Sequence, residues 1–156
     1  MVKDRIVRLT PAGKARLADE LHHLTTVKKP ALARRIQDAS DRGDASDNSE
    51  YEEIKETYVL TEARIHELEQ MLERAEIIET HSEGGVIGLG SVVTLRTDDG
   101  EEETWTLVSP EEANSLDGTI STASPVGHAV MGCRVGDSPT VKTPGGEIVF
   151  RVVKVD

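Results

Sequence analysis

Tyr51, Ile54, Tyr58, Thr61, Ile65, Leu68, Leu72 and Ala75 follow one another in alternating steps of three and four residues. That spacing is a heptad seam, and it commits the segment to a long helix that must bury one narrow face against another helix. A matching stripe precedes it. Leu17, Leu21, Leu24, Lys28, Ala31, Arg35 and Ala39 keep the same spacing, with Val27, Leu32 and Ile36 widening the apolar face. Thr10-Pro11 predicts the start of this first helix, with Thr10 as N-cap and Pro11 at the first position, where a missing N–H costs nothing. Pro30 interrupts a helical hydrogen bond and predicts a bend, and Gly43 is the expected stop. Two such helices joined by a short turn make an antiparallel hairpin. Arms of ~30 residues would each run roughly 45 Å.

A hairpin of that length exceeds what a compact core requires in a chain of 156 residues. Hydrophobic residues at 37% permit a core, and aromatics at 3% make it an aliphatic one. The net charge of −11 argues against a protein that grips DNA by neutralising its phosphates. Residues 1–79 carry a net −4 and residues 80–156 a net −7, so the second half reads as a protein-contact module. Cys133 is the only cysteine, which rules out an internal disulfide and a cysteine-based metal cluster. None of the five histidines forms an H-x-x-x-H pair. No charged-then-apolar leader and no long apolar run is present, so the expectation is a soluble, cytoplasmic protein without a membrane contact.

The period changes between Ile77 and Gly90, where Gly84-Gly85, Gly88 and Gly90 signal a linker or a new module. Ser91–Leu95, Thr104–Val108, Gly118–Thr122 and Ile148–Val155 then read as strands, separated by turn chemistry at Asp98-Asp99-Gly100 and Pro144-Gly145-Gly146. Ser124-Pro125 opens a short helix through Met131, ended by Gly132. Trp105 and Phe150 are expected core anchors, and Cys133 a structural residue. The expected organisation is α+β: a hairpin over residues 1–79 with its tip near 41–50, then a mainly antiparallel sheet domain over 80–156.

Between the two helical stripes lies Gly43-Asp44-Ala45-Ser46-Asp47-Asn48-Ser49-Glu50-Tyr51. Part of this is helix chemistry. Asp47 and Glu50 fit a capping box, and acids in a first turn complement the helix dipole. A cap uses one acceptor, however, whereas Asp41, Asp44, Asp47, Glu50, Glu52 and Glu53 offer many more. Asp44 and Asp47 are spaced to converge on one hard divalent ion such as Mg²⁺, with the remaining ligands supplied by water or a partner. An EF-hand is excluded, because Ser49 and Lys55 stand where Gly and Glu are required.

In these residues the chain resembles the bacterial Gre transcript-cleavage factors, of the A type. The family's tip has a Gly-Asp pair, two variable residues, an acid, Asn, a small residue and Glu-Tyr, matched here by Gly43 to Tyr51. A second motif is matched by Ser121-Thr122-Ala123-Ser124-Pro125-Val126-Gly127, then Val130-Met131-Gly132 and Gly136-Asp137. Thr143-Pro144-Gly145-Gly146-Glu147 looks like the family's closing hairpin, and Leu9-Thr10-Pro11-Ala12-Gly13 with Glu20-Leu21 matches its N-terminus.

The resemblance implies a C-terminal FKBP-like domain that binds RNA polymerase and a coiled coil that enters the polymerase secondary channel. It implies Asp44 and Asp47 as tip carboxylates that share Mg²⁺ with the polymerase, in two-metal hydrolysis of the RNA 3′ end of a backtracked complex. By position, Lys55 would contact RNA, with Arg42 substituting where the family's other basic position is Ser40. Ser124 and Pro125 would face the polymerase. On this reading the protein is a monomeric activator of polymerase, not itself an enzyme.

Asp47 stands where active members usually carry Glu, which sets its oxygens back by about a C–C bond, ~1.5 Å. That shortening predicts cleavage of reduced strength or altered metal dependence. Two other readings predict different behaviour. An anti-cleavage paralogue would occupy the same channel and inhibit, though such paralogues typically have a remodelled, more acidic tip. A helical-hairpin adaptor or chaperone would not need Asp44 or Asp47 at all.

Overall fold

The computed structural model describes residues 5–41, 48–82 and 84–156. Its elements are β1 (Val7–Leu9), α1 (Pro11–His23), α2 (Lys29–Asp41), α3 (Asn48–Glu73), β2 (Ala75–Ile77), β3 (Val92–Arg96) and β4 (Glu102–Val108). They continue with β5 (Thr119–Ser121), α4 (Pro125–Val130), β6 (Thr140–Thr143), β7 (Gly146–Val149) and β8 (Arg151–Val155). The chain divides into two compact units, one of Ala15–Arg74 and the other of the segment ending at Lys14 together with Ala75–Asp156.

In the helical unit, α1 passes into α2 through a π-helical turn, Leu24–Lys28, whose last bond runs from the Lys29 N–H to the Leu24 carbonyl. Pro30 follows at once. Proline removes a donor and crowds the carbonyl four residues back, and a widened turn just before it accommodates both effects. The helix therefore continues past Pro30, but its apolar stripe is shifted. Leu17 is buried before the turn, Leu24 at its first position and Leu32 after it, with Lys29, Ile36 and Ala39 half-buried. Lys28, Ala31 and Arg35, expected on the seam, are exposed. The extra residue in the π turn accounts for the shift, since the steps become five, three, four and three from Leu24 through Lys29, Leu32 and Ile36 to Ala39.

The second stripe needs no such revision within the helix. Ile54, Thr61, Ile65 and Leu68 are buried and Tyr51, Tyr58 and Leu72 half-buried. Ala75 has already passed into β2. The Thr61 hydroxyl donates to the Thr57 carbonyl at 2.8 Å, so a polar seam residue is satisfied inside its own helix. Arg64 meets Glu20, and Lys29 meets the ring of Tyr58. One number falls as the other rises, which makes the packing antiparallel.

The other unit is built on a sheet in the order β5-β4-β3-β8. β3 pairs antiparallel with both β4 and β8, and β4 pairs in parallel with β5. Alternation along β3 buries Val93 and Leu95, which join Ile87, Leu107, Val130, Val141, Phe150 and Val152 in one aliphatic core. Trp105 packs at its margin, half-buried, with its indole N–H on Glu103 at 3.1 Å. Residues 98–100 form a three-residue hairpin loop whose last residue, Gly100, takes the left-handed conformation (φ +86°) that this turn requires.

The single strand expected over Ile148–Val155 is two. β7 pairs with β6, β8 pairs with β3, and Phe150 between them turns into the core. Val7–Leu9, read only as an apolar lead-in, forms a parallel pair with β2. The described residues contain no helix long and apolar enough to cross a membrane.

Candidate functional site

α2 ends at Asp41, and α3 begins at Asn48 and so contains the last four residues of the tip motif, Asn48 to Tyr51. Arg42, Asp44 and Asp47, the expected tip residues, lie outside the described residues, as does the Asp47 end of the expected capping box. Glu50 is in the first turn of α3 and exposed. Tyr51 occupies a seam position, and its ring lies 5.1 Å from the Lys55 ammonium one turn later. That separation is within cation–π range, so Lys55 is exposed in the second turn of α3 with its charge held against an aromatic face. Farther from the tip, Lys29 lies 5.8 Å from the Tyr58 ring.

No group of three or more His, Cys, Asp or Glu among the described residues is arranged to hold a metal ion. Asp44 and Asp47 supply hard oxygen donors suited to Mg²⁺, but two carboxylates leave most of an octahedral shell to other ligands. The donor set therefore fits a shared ion better than a resident one.

The second motif wraps around the start of α4. The Ser124 hydroxyl donates to the Ser121 carbonyl at 2.6 Å and accepts from the Gly127 N–H at 3.1 Å, which makes Ser124 the N-cap. The Ala123 N–H in turn donates to the Ser121 hydroxyl at 3.0 Å. A Cβ at Gly127 would collide with the Ser121 carbonyl, so only glycine lets the helix approach the strand end this closely. Ser124 is thus half-buried and committed to local structure, whereas Ala123, Pro125 and His128 are exposed and Met131 is partly so. Any partner meeting this corner meets Pro125 before the Ser124 hydroxyl.

Cys133 is half-buried, its thiol against the Ala129 carbonyl at 3.6 Å. Burial, assisted by the nearby Asp137, pushes its pKa up and keeps it a thiol. That agrees with a structural residue.

Sequence reasoning missed Glu112. Its carboxylate reaches Thr10, 102 residues earlier, and takes both the backbone N–H and the hydroxyl at 2.6 Å. The signal available was the first helix start itself. Thr10 is a good cap, yet Gly13 stands where a capping box would place Glu or Gln.

With this geometry in view, the family models are decisive. The model described as "Transcription elongation factor, N-terminal" matches residues 7–77, and that described as "Transcription elongation factor, GreA/GreB, C-term" matches 81–156. The chain belongs to the GreA/GreB family of transcription elongation factors. Among curated relatives, the transcription elongation factor GreA of Chloroflexus aggregans is 48% identical, over 94% of this chain and 95% of that one. That of Bacillus subtilis is 40% identical over 99% of each. Such identity over nearly the full length of proteins named GreA supports the A type. The crystal structure of GreA factor homolog 1 (Gfh1) of Thermus thermophilus is 41% identical, covering 97% of this chain and 99% of that one, with a TM-score of 0.46.

Proposed function

We propose that this chain binds bacterial RNA polymerase through its C-terminal domain and inserts its hairpin into the secondary channel. There it stimulates Mg²⁺-dependent cleavage of the RNA 3′ end in backtracked complexes. The observation that carries this reading is the Gly43–Tyr51 motif, placed where one hairpin arm has ended and the other begins, within a family of elongation factors.

Asp44 and Asp47 are the residues that would hold a Mg²⁺ jointly with the polymerase; the ion would supply charge neutralisation at the attacking and leaving oxygens. The chain's own part is positioning. The long arms carry two carboxylates to a distant centre, and Lys55 and Arg42 meet the charge of the RNA 3′ end. The Tyr51 ring restrains the Lys55 ammonium, which lowers the entropy lost when it contacts a phosphate. The factor works as a monomer and is an activator, since the nuclease chemistry resides mainly in the polymerase.

The deciding experiment uses a stalled, backtracked polymerase with labelled RNA. Release of 3′ fragments by the wild-type chain, lost in Asp44→Ala while polymerase binding persists, supports the proposal. Slowed elongation without fragment release replaces it with an anti-cleavage paralogue. No polymerase binding sinks both and leaves a helical-hairpin adaptor.

A further inference from the structure

Among the described residues, Glu112 is the charged side chain that is buried, at 2% exposure. Its Oε1 accepts from the Thr10 N–H and its Oε2 from the Thr10 hydroxyl, both at 2.6 Å. The Thr10 Oγ1 in turn accepts from the Gly13 N–H at 3.0 Å. Alongside, the Ser109 hydroxyl donates to the Arg8 carbonyl at 2.6 Å. All of these residues lie in the sheet-bearing unit.

A helix start leaves its first N–H groups without internal partners, and a capping box meets part of that need with a Glu at the third helical position. Here that position is Gly13. A Cβ on Gly13 would collide with the Glu112 carboxylate. The glycine therefore removes a local capping carboxylate and opens the space through which a remote one enters. The Thr10 hydroxyl caps the start of α1 locally, and the reciprocal bond to the Thr10 N–H, which a capping box draws from the third helical position, comes from the loop after β4.

We propose that Thr10, Gly13 and Glu112 form a latch on the root of the hairpin, and that Glu112 is a positioning residue for transcript cleavage. This inference rests on the function proposed above. From Pro11 to Asp41 the helical path is 31 residues long, or about 46 Å at ~1.5 Å per residue. A change of about 5° in the direction of its first turn displaces the far end by ~4 Å. Misplacement of a catalytic group by about 1 Å already costs on the order of a hundredfold in rate. The latch thus bears on how the tip is delivered and leaves polymerase binding alone.

The test compares wild type, Glu112→Gln, Gly13→Ala, Thr10→Val and Thr10→Ser in the backtracked-complex assay, over a range of factor concentrations. Gln keeps the volume but turns one acceptor into a donor facing Thr10. In the first three variants the maximal cleavage rate at saturating factor is expected to fall about tenfold or more, with the half-saturating concentration unchanged. Thr10→Ser, which keeps both donors, is expected to retain the wild-type rate. Hydrogen exchange supplies the second readout: the amides of residues 12–14 should exchange faster while those of Val93, Leu95 and Leu107 do not. An undiminished maximal rate in Glu112→Gln and Gly13→Ala overturns the latch alone. So does faster exchange across the whole sheet, which would mark general destabilisation. A wild-type chain that stimulates no cleavage overturns the proposed function and the latch with it.

Discussion

Arg64 donates from Nε to Glu20 Oε1 at 2.8 Å and from Nη2 to Glu20 Oε2 at 3.1 Å, a two-pronged bond between the arms of the hairpin. Its Nη1 also reaches Glu67 at 2.8 Å within α3. The bonds to Glu20, more than those to Glu67, raise the pKa of a guanidinium that is charged at any accessible pH. Both side chains are 37% exposed, so solvent screens the pair. Replacing Arg64 by Met should cost under about 1 kcal/mol, and less in 1 M salt. Urea unfolding at two salt concentrations checks this, and a salt-independent loss would refute the screened-pair account.

The shifted seam makes a sharper stability prediction. Leu32→Ala removes a buried side chain and should cost roughly 2–5 kcal/mol. Ala31→Ser and Arg35→Ala, on the exposed face, should stay within about 0.5 kcal/mol of wild type. Equal losses at Arg35 and Leu32 would mean the unshifted heptad is the true one.

Ser124 tests how far the α4 corner is structural. Ser124→Ala loses the cap and should cost about 1 kcal/mol. Pro125→Ala, at an exposed position, should leave the melting temperature nearly unchanged yet weaken polymerase binding if this corner is the docking surface. Calorimetry and a binding titration separate the two effects.

Asp47 bears on cleavage strength. Lengthening it by one CH₂ in Asp47→Glu is expected to raise the cleavage rate several-fold at limiting Mg²⁺, with a smaller gain at saturation. A variant that cleaves no faster at any Mg²⁺ concentration would show that the shorter acid is not what limits this chain.

Burial raises the Cys133 pKa, so the folded state binds that proton more tightly than the unfolded chain does. Stability from this group is present below the unfolded thiol pKa and is lost as pH rises through the folded value. At pH 8 iodoacetamide should alkylate native Cys133 more slowly than the denatured chain. Equal rates would contradict a shielded thiol.

The long second helix, the Thr10 start, the Pro125 helix and Phe150 as a core anchor were legible because each rests on local chemistry: a period, a cap or a large apolar side chain. The break of the last strand at Phe150 was not. An apolar run does not say which neighbour each half pairs with, and here β6 takes one half and β3 the other. Ala75 kept the helical period and still became a strand, because β1 offers it an edge.

The amino-acid order alone determined the hairpin, the acidic motif between its arms and the family to which the chain belongs. Spacing and residue type suffice for these. Three matters were decided only in three dimensions: the seam after Pro30, the packing of Val7–Leu9 with the later domain, and the capping of Thr10 by Glu112. A π turn inserts one residue into a period without leaving a mark in composition. Gly13 at the capping-box position signals that the local acid is missing, but nothing local identifies a partner 102 residues away, since the free energy of that contact appears only when folding brings the two groups together and excludes water from both.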